Sequence, residues 1–157
     1  MNGTDIQAVL CDLDGTITDG MYHVDASGAV SKSFNTRDMH ALCRLAEAGI
    51  AVAVVTGSCD ECNSKKFDSL PHKIDLYENV SDKSDFVYSF CARLGIDPSR
   101  CLFIGDGEND IDAMSMSGAR ACPHDASPHV LEIDDVFVSD RCGGRGAVEE
   151  ILIHFFE

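Results

Sequence analysis

Short apolar runs recur along this chain, at residues 6–12, 50–55, 73–77, 101–104, 119–122 and 136–138. Within them apolar positions follow one another instead of alternating with polar ones, the pattern of strands covered on both faces. The intervals between runs carry helical periodicity. "RDMHALCRLAEAGI" (37–50) puts Met39, Leu42, Leu45 and Ala46 on one face and stops at Gly49. "SDKSDFVYSFCARLG" (81–95) opens on Ser and Asp cap candidates and ends at Gly95. "ENDIDAMSMSG" (108–118) and "GAVEEILIHFF" (146–156) read as two further helices. Strand and helix in alternation predict an α/β chain with a doubly wound, mostly parallel sheet. Ligands of such sheets bind beyond the carboxyl ends of the strands.

One stretch breaks the alternation. "GMYHVDASGAVSKSFNT" (20–36) holds two short β-type runs around a "DASG" turn and predicts a β-hairpin. No linker, repeat or low-complexity stretch divides the chain. The 157 residues read as a single domain, 1–157, with a hairpin flap over 18–36 and a tail and C-terminal helix over 141–157. "MNGTDIQ" (1–7) has no basic or apolar leader character, and no apolar run approaches the ~20 residues of a membrane span. A cytoplasmic location without a membrane partner is the expectation.

Charge adds a constraint. Against 12 Lys and Arg stand 27 Asp and Glu, a net charge of −15, and no basic run offers itself to a nucleic acid. An anionic substrate would meet an opposing field and would need local cations to overcome it. Of eight cysteines, most sit in apolar runs such as "VLCDL" and "RCLFIG" and read as small hydrophobes. Cys59 and Cys62 in "TGSCDEC" form a C-x-x-C at a helix start, where a redox pair would sit. Ordinary thiols are the reading adopted, and a zinc site would need a second such pair, which the sequence lacks.

The chemistry gathers where the sheet would bind a ligand. In "AVLCDLDGTITDG" (8–20), Asp12 and Asp14 follow the first strand, and Thr56 follows the second in "VVTG". Lys83 comes after the third in "NVSDK", and Asp106 and Asp110 follow the fourth in "IGDGEND". Crowded carboxylates raise one another's pKa, so something must neutralise them. Carboxylates converging from separate loops make a hard oxygen site suited to Mg²⁺. A calcium loop of the EF-hand type would need Gly at its sixth position, where this chain has Ile17 or Ile111. A carboxylate beside Mg²⁺ can attack phosphorus, and a second acid two residues on can protonate the leaving alkoxide and later activate water. Lys83 supplies fixed positive charge, and Thr56 with neighbouring N–H groups can hold phosphate oxygens. Mg²⁺ and Lys83 are then the local cations that an acidic protein needs to receive a phosphate.

In order, "DLDGT", "VVTG", Lys83 and "GDGEND" match the four motifs of the haloacid dehalogenase phosphohydrolase superfamily, which the chain resembles over essentially its whole length. The resemblance implies that family's Rossmann-like fold, with Asp12 as nucleophile, Asp14 as acid/base, and Thr56 and Lys83 as phosphate holders. It implies Mg²⁺ bound by Asp12, the Asp14 backbone carbonyl and Asp106, with Gly57, Asn109 and Asp110 in support. The gaps between motifs leave no space for an inserted cap domain. "DGMYHVDASGAVSKSFNTRD" and "GGRGAVEEIL" are similar to a capless branch acting on 2-keto-3-deoxy sugar acid phosphates. That branch also resembles the carboxy-terminal domain of some acylneuraminate cytidylyltransferases.

By that resemblance the partner is a small phosphorylated sugar acid, and the chain is a homo-oligomer, a tetramer, whose neighbouring hairpins and tails close each site. Phe34, Asn35, Arg37 and Asp38 fall at substrate-facing positions, and Arg145 in "GGRG" reaches a sugar carboxylate, which suits a guanidinium. Members of this branch carry Glu or Arg directly after Thr-Gly, where this chain has Ser58. Octulosonate 8-phosphate, nononate 9-phosphate and acylneuraminate 9-phosphate therefore all stay open. Two other readings remain: a phosphatase of another small ester, and a non-catalytic oligomerising module of a sugar-activating enzyme. Retention of Asp12, Asp14, Lys83 and Asp106 speaks against the second.

Overall fold

The computed structural model describes residues 5–72 and 74–157. Most of the stretch read for a leader, residues 1–4, and Lys73, the first position of the run at 73–77, lie outside them. The chain runs β1 (Ala8–Asp12), β2 (His23–Val24), β3 (Val30–Ser31), α1 (Thr36–Glu47), β4 (Ala51–Val55), α2 (Glu61–Asp68) and β5 (Asp75–Tyr77). It continues α3 (Lys83–Leu94), β6 (Cys101–Ile104), α4 (Ile111–Met116), β7 (Ala119–Cys122), α5 (Pro128–Leu131), β8 (Phe137–Val138) and α6 (Ala147–Phe156). Six strands form one sheet in the order β5-β4-β1-β6-β7-β8, every pair parallel. β1 is central, with Leu10 opposite Ala53 of β4 on one side and Phe103 of β6 on the other. The chain winds from β1 to one edge and returns to the other, so the carboxyl ends of β1, β4 and β6 surround the switch point. The α/β, doubly wound architecture read from the sequence is the observed one.

All five residues of β1 are buried, and their side chains alternate between two cores. Val9 and Cys11 pack towards α1, α2 and α6 with Met39, Leu42, Phe67 and Ile151. Ala8 and Leu10 pack towards α3, α4 and α5 with Val87, Phe90, Met114 and Val130. Each fully buried Leu, Ile or Phe contributes about 1.5–3 kcal/mol, and this double-sided burial anchors the strand whose end carries Asp12. The helix ends follow the sequence signals. Asp82 caps α3 by accepting from the N–H groups of Ser84 and Asp85, and Gly95 (φ 68°) closes it. Among the described residues the β1–β4 connection holds a helical turn at Leu13–Ile17, the hairpin and α1, with no cap domain, and no helix is long and apolar enough to cross a membrane.

The hairpin is smaller than its sequence range. Its ladder pairs only His23 with Ser31 and Val24 with Val30, and the tip is held by Asp25 accepting from Ser27 and Ala29. Two further expectations need correction. Asn35, read as substrate-facing, caps α1 by accepting from the Arg37 N–H, and its side-chain amide donates to the Gly144 carbonyl at 3.4 Å. Asp38, read the same way, is wholly buried. Its two oxygens accept from the N–H groups of Gly146 (3.1 Å) and Glu149 (2.8 Å) at the start of α6, whose own N-cap, Gly146, has no side chain to offer. Burial pushes the Asp38 carboxyl above its ordinary range, while the two N–H donors favour its charged form. Asp38 is therefore the remote cap of the C-terminal helix, and is not presented to a ligand. Replacement by Ala strands two buried N–H groups, so Asp38→Ala is expected to lower unfolding free energy by about 2 kcal/mol or more in urea titration.

Candidate active site

Four strand ends deliver the expected groups to one place. Asp12 is the last residue of β1; Asp106 and Asp110 lie on the loop after β6; Lys83 is the first residue of α3 and is buried. The Lys83 ammonium donates to Asp12 Oδ1 and to Asp110 Oδ1, each at 2.6 Å. Burial alone would lower the Lys83 pKa, but the two carboxylates outweigh it and hold the group above the ordinary lysine range. Asp110 has no exposure, and its second oxygen accepts from the N–H groups of Asp106 (3.1 Å) and Gly107 (3.0 Å). It shapes the loop that presents Asp106. Asp106 in turn accepts from the Thr16 hydroxyl at 2.7 Å. Gly15 (φ +94°) lets the first loop pass beneath it, since a Cβ there would collide with the Asp106 carboxylate.

Oxygens of Asp12, Asp106 and Asp110 all lie within 4.8 Å of one another. Burial, followed by the proximity of Asp110, pushes Asp12 well above the carboxylate range, and burial raises Asp106 as well. With all three ionised, the single Lys83 ammonium leaves two negative charges uncompensated. A hard, oxygen-only donor set with that deficit fits a divalent cation. Asp110 is already spent on Lys83 and backbone, so Asp12 and Asp106 are the carboxylates free to ligate.

Asp14 turns the other way. Its Oδ2 accepts from Ser58 Oγ at 2.8 Å and from Thr56 Oγ1 at 3.4 Å, and its Oδ1 pairs with Lys32 Nζ at 2.8 Å. Thr56 and Ser58 share a further contact at 3.0 Å. Gly57 lies between them, and Asn109 sits exposed in the short turn 108–110. The tail closes over the first loop within the same chain: Gly144 N–H donates to the Thr16 carbonyl at 3.1 Å, and Gly143 lies so close to Gly15 that a Cβ would meet its carbonyl. Arg145 stands on that rim, 71 % exposed, with Nη2 3.9 Å from Asp19 Oδ2.

Three expected substrate-facing groups lie elsewhere. Asp38 is the buried cap described above. Phe34 packs edge-on against Phe67 at 6.4 Å, on the core. Arg37 points into a groove of about 370 Å³ on the outer side of α1, with His40, Arg44 and Glu149, none of which belongs to the acidic site. A helix start near a site is visible in sequence, but which way each side chain turns from it is not.

Lys32 was missed altogether. It follows β3 on the hairpin, its side chain is 1 % exposed, and it bridges Asp14 to Asp60 Oδ2 (3.0 Å). Its one sequence signal is the two-residue spacing from Val30, which puts both on one face of a strand. Asn63, also missed, ties Ser58 to Glu78 through its side-chain amide. Cys59 is exposed and Cys62 half-buried, and all eight cysteines are free; burial pushes the Cys122 thiol up to about 11.

The haloacid dehalogenase-like hydrolase family matches residues 58–148. The 3-deoxy-D-manno-octulosonate 8-phosphate phosphatase of Yersinia pestis is 32 % identical over 93 % of this chain and 77 % of its own length. The structure of the Yersinia pestis enzyme covers 96 % of this chain and 80 % of that one, with a TM-score of 0.89 and 31 % identity. The Moraxella catarrhalis enzyme, solved with magnesium, phosphate and KDO, covers 98 % of this chain and 87 % of that one, with a TM-score of 0.90 and 25 % identity. Strand order, the four strand-end motifs and these matches agree, and the chain belongs to the haloacid dehalogenase-like hydrolases as a phosphatase.

Proposed function

We propose that this phosphatase is Mg²⁺-dependent, works through an aspartyl-phosphate on Asp12, and acts on a 2-keto-3-deoxy sugar acid phosphate, octulosonate 8-phosphate first among them. The observation that carries the proposal is the acidic trio of buried Asp12 and Asp110, both on Lys83, with half-buried Asp106, which has two negative charges in excess. The similarity to the Yersinia enzyme and to the Moraxella complex supports the substrate class and the metal.

Asp12, Asp106 and the Asp14 backbone carbonyl would hold the metal, which when bound supplies positive charge to the phosphate oxygens. Lys83 fixes the Asp12 carboxylate in place, so nucleophile and phosphate meet without a rotamer search. Asp12 attacks phosphorus, the bond from phosphorus to the sugar oxygen breaks, and Asp14 gives its proton to that departing oxygen. Asp14, now ionised, takes a proton from water, whose oxygen attacks phosphorus. The phosphorus–Asp12 bond breaks and inorganic phosphate leaves. Thr56 and Ser58, both bonded to Asp14, line the phosphate side. Arg145, exposed on the rim and held only by a 3.9 Å ion pair to Asp19, is the group that receives the sugar carboxylate. Outward Met21 (59 % exposed), Tyr22 (63 %) and Val24 (59 %) on the hairpin support a homo-oligomer, a tetramer by resemblance, in which those side chains are covered.

Phosphate release across a panel of sugar acid phosphates, with nitrophenyl phosphate as reference, tests the reading directly. A sugar acid phosphate is expected to exceed the reference in kcat/KM by about tenfold or more. In the same panel Arg145→Ala should raise KM for the sugar acid and leave nitrophenyl phosphate, which lacks a carboxylate, unchanged. Asp12→Asn is expected to lower kcat by about a thousandfold or more on every substrate, with the circular dichroism of the fold retained. Chelation should abolish turnover and Mg²⁺ restore it. Ca²⁺ should not, because it accepts more ligands and engages both oxygens of a carboxylate.

A further inference from the structure

The acidic site holds two lysines, and each bridges two carboxylates. Lys83 joins Asp12 to Asp110 from the start of α3, and Lys32 joins Asp14 to Asp60 from the hairpin. The Lys32 side chain is 1 % exposed, like that of Lys83, although the backbone that carries it directly follows a two-pair ladder at the surface. A ladder of that length is marginal in water by itself. Val30 and Lys32, on either side of exposed Ser31, are both half-buried as whole residues. Val30 lines a groove with Cys59 and Cys62 at the start of α2, and Lys32 reaches past it to Asp60 and Asp14. A desolvated ammonium is retained only where its partners are in place, so the pair is a demanding contact and not a surface ornament.

Asp14 needs such a partner. It stands two residues from Asp12, whose carboxylate belongs to the acidic trio, and its own carboxylate turns away towards Ser58 and Lys32. Ser58 and Thr56 serve one of its oxygens; the other is held by Lys32. We propose that Lys32 is a positioning residue of this active site, whose ammonium holds the Asp14 carboxylate at the mouth and apart from the acidic trio. Docking of the hairpin and placement of the acid/base group are then one event, because the same contact serves both. The inference rests on the reading of Asp14 as acid/base.

A double-mutant cycle isolates the contact. Wild type, Lys32→Met, Asp14→Asn and the double variant are compared on nitrophenyl phosphate, whose good leaving group keeps the Asn variants measurable. Amide hydrogen exchange over residues 20–33 is followed in parallel without metal. Lys32→Met is expected to lower kcat about tenfold with KM changed less than about threefold, and to change kcat less than about twofold once Asp14 is Asn. Lys32→Arg, which keeps the charge, should retain at least about a third of wild-type kcat. Hairpin amides should exchange faster in Lys32→Met. Losses that multiply in the double variant, an effect confined to KM, equal losses for Arg and Met, or unchanged hairpin exchange would each overturn the assignment. A wild type that releases phosphate from no ester defeats the catalytic reading, whereas the exchange arm still reports the latch.

Discussion

The structure turns on an ammonium buried between two carboxylates. Lys83 Nζ sits 2.6 Å from both Asp12 and Asp110, and in doing so ties the end of the central strand to the start of α3 and to the loop after β6. None of the three charges is tolerable alone in that interior. Leaving one of such a set unpaired costs about 3–5 kcal/mol, a large part of the stability of a domain this size. The three segments are therefore held in one relative placement by electrostatics as much as by packing. The same cluster leaves a charge deficit, and that deficit makes the site receptive to a cation and, beyond it, to a phosphate.

Asp110 shows how one side chain can serve the site without facing the substrate. One of its oxygens answers Lys83, and the other gathers the N–H groups of Asp106 and Gly107. Both are consumed, so the carboxylate acts as a brace for the loop that presents Asp106. Asp38 plays a similar part at a distance from the site: it fixes the start of α6, whose preceding glycines lie on the loop that carries Asp14. The tail thus reaches the site through backbone contact, and glycine is required at 143 because the carbonyl of Gly15 occupies the place of a side chain.

An acidic chain that binds an anion has to concentrate its few cations. With 12 Lys and Arg against 27 acids, this protein buries two lysines at the carboxyl ends of its strands and leaves one arginine on the rim. Desolvation strengthens the interactions of those lysines with nearby charge, so local geometry outweighs the unfavourable net field.

The sequence by itself determined the strands, the winding of the sheet and the four strand-end motifs. Consecutive apolar residues in "AVLC" and "CLFI" can be satisfied only by burial on both faces, and a strand so buried delivers whatever follows it to the sheet's carboxyl edge. Asp12, Lys83, Asp106 and Asp110 were legible for that reason, since each lies within two residues of an element end or on the short turn that follows one. What only the tertiary structure decided is the direction of side chains that leave irregular or surface segments. Asp38 lies in the first turn of an amphipathic helix, and its fate depended on where the far end of the chain would start α6, which no local pattern encodes. Lys32 stands in a hairpin whose register involves two residue pairs, and its burial depended on that hairpin folding back onto α2. Local periodicity reports which residues share a face; the partner that face meets across the chain is set by packing between elements distant in sequence.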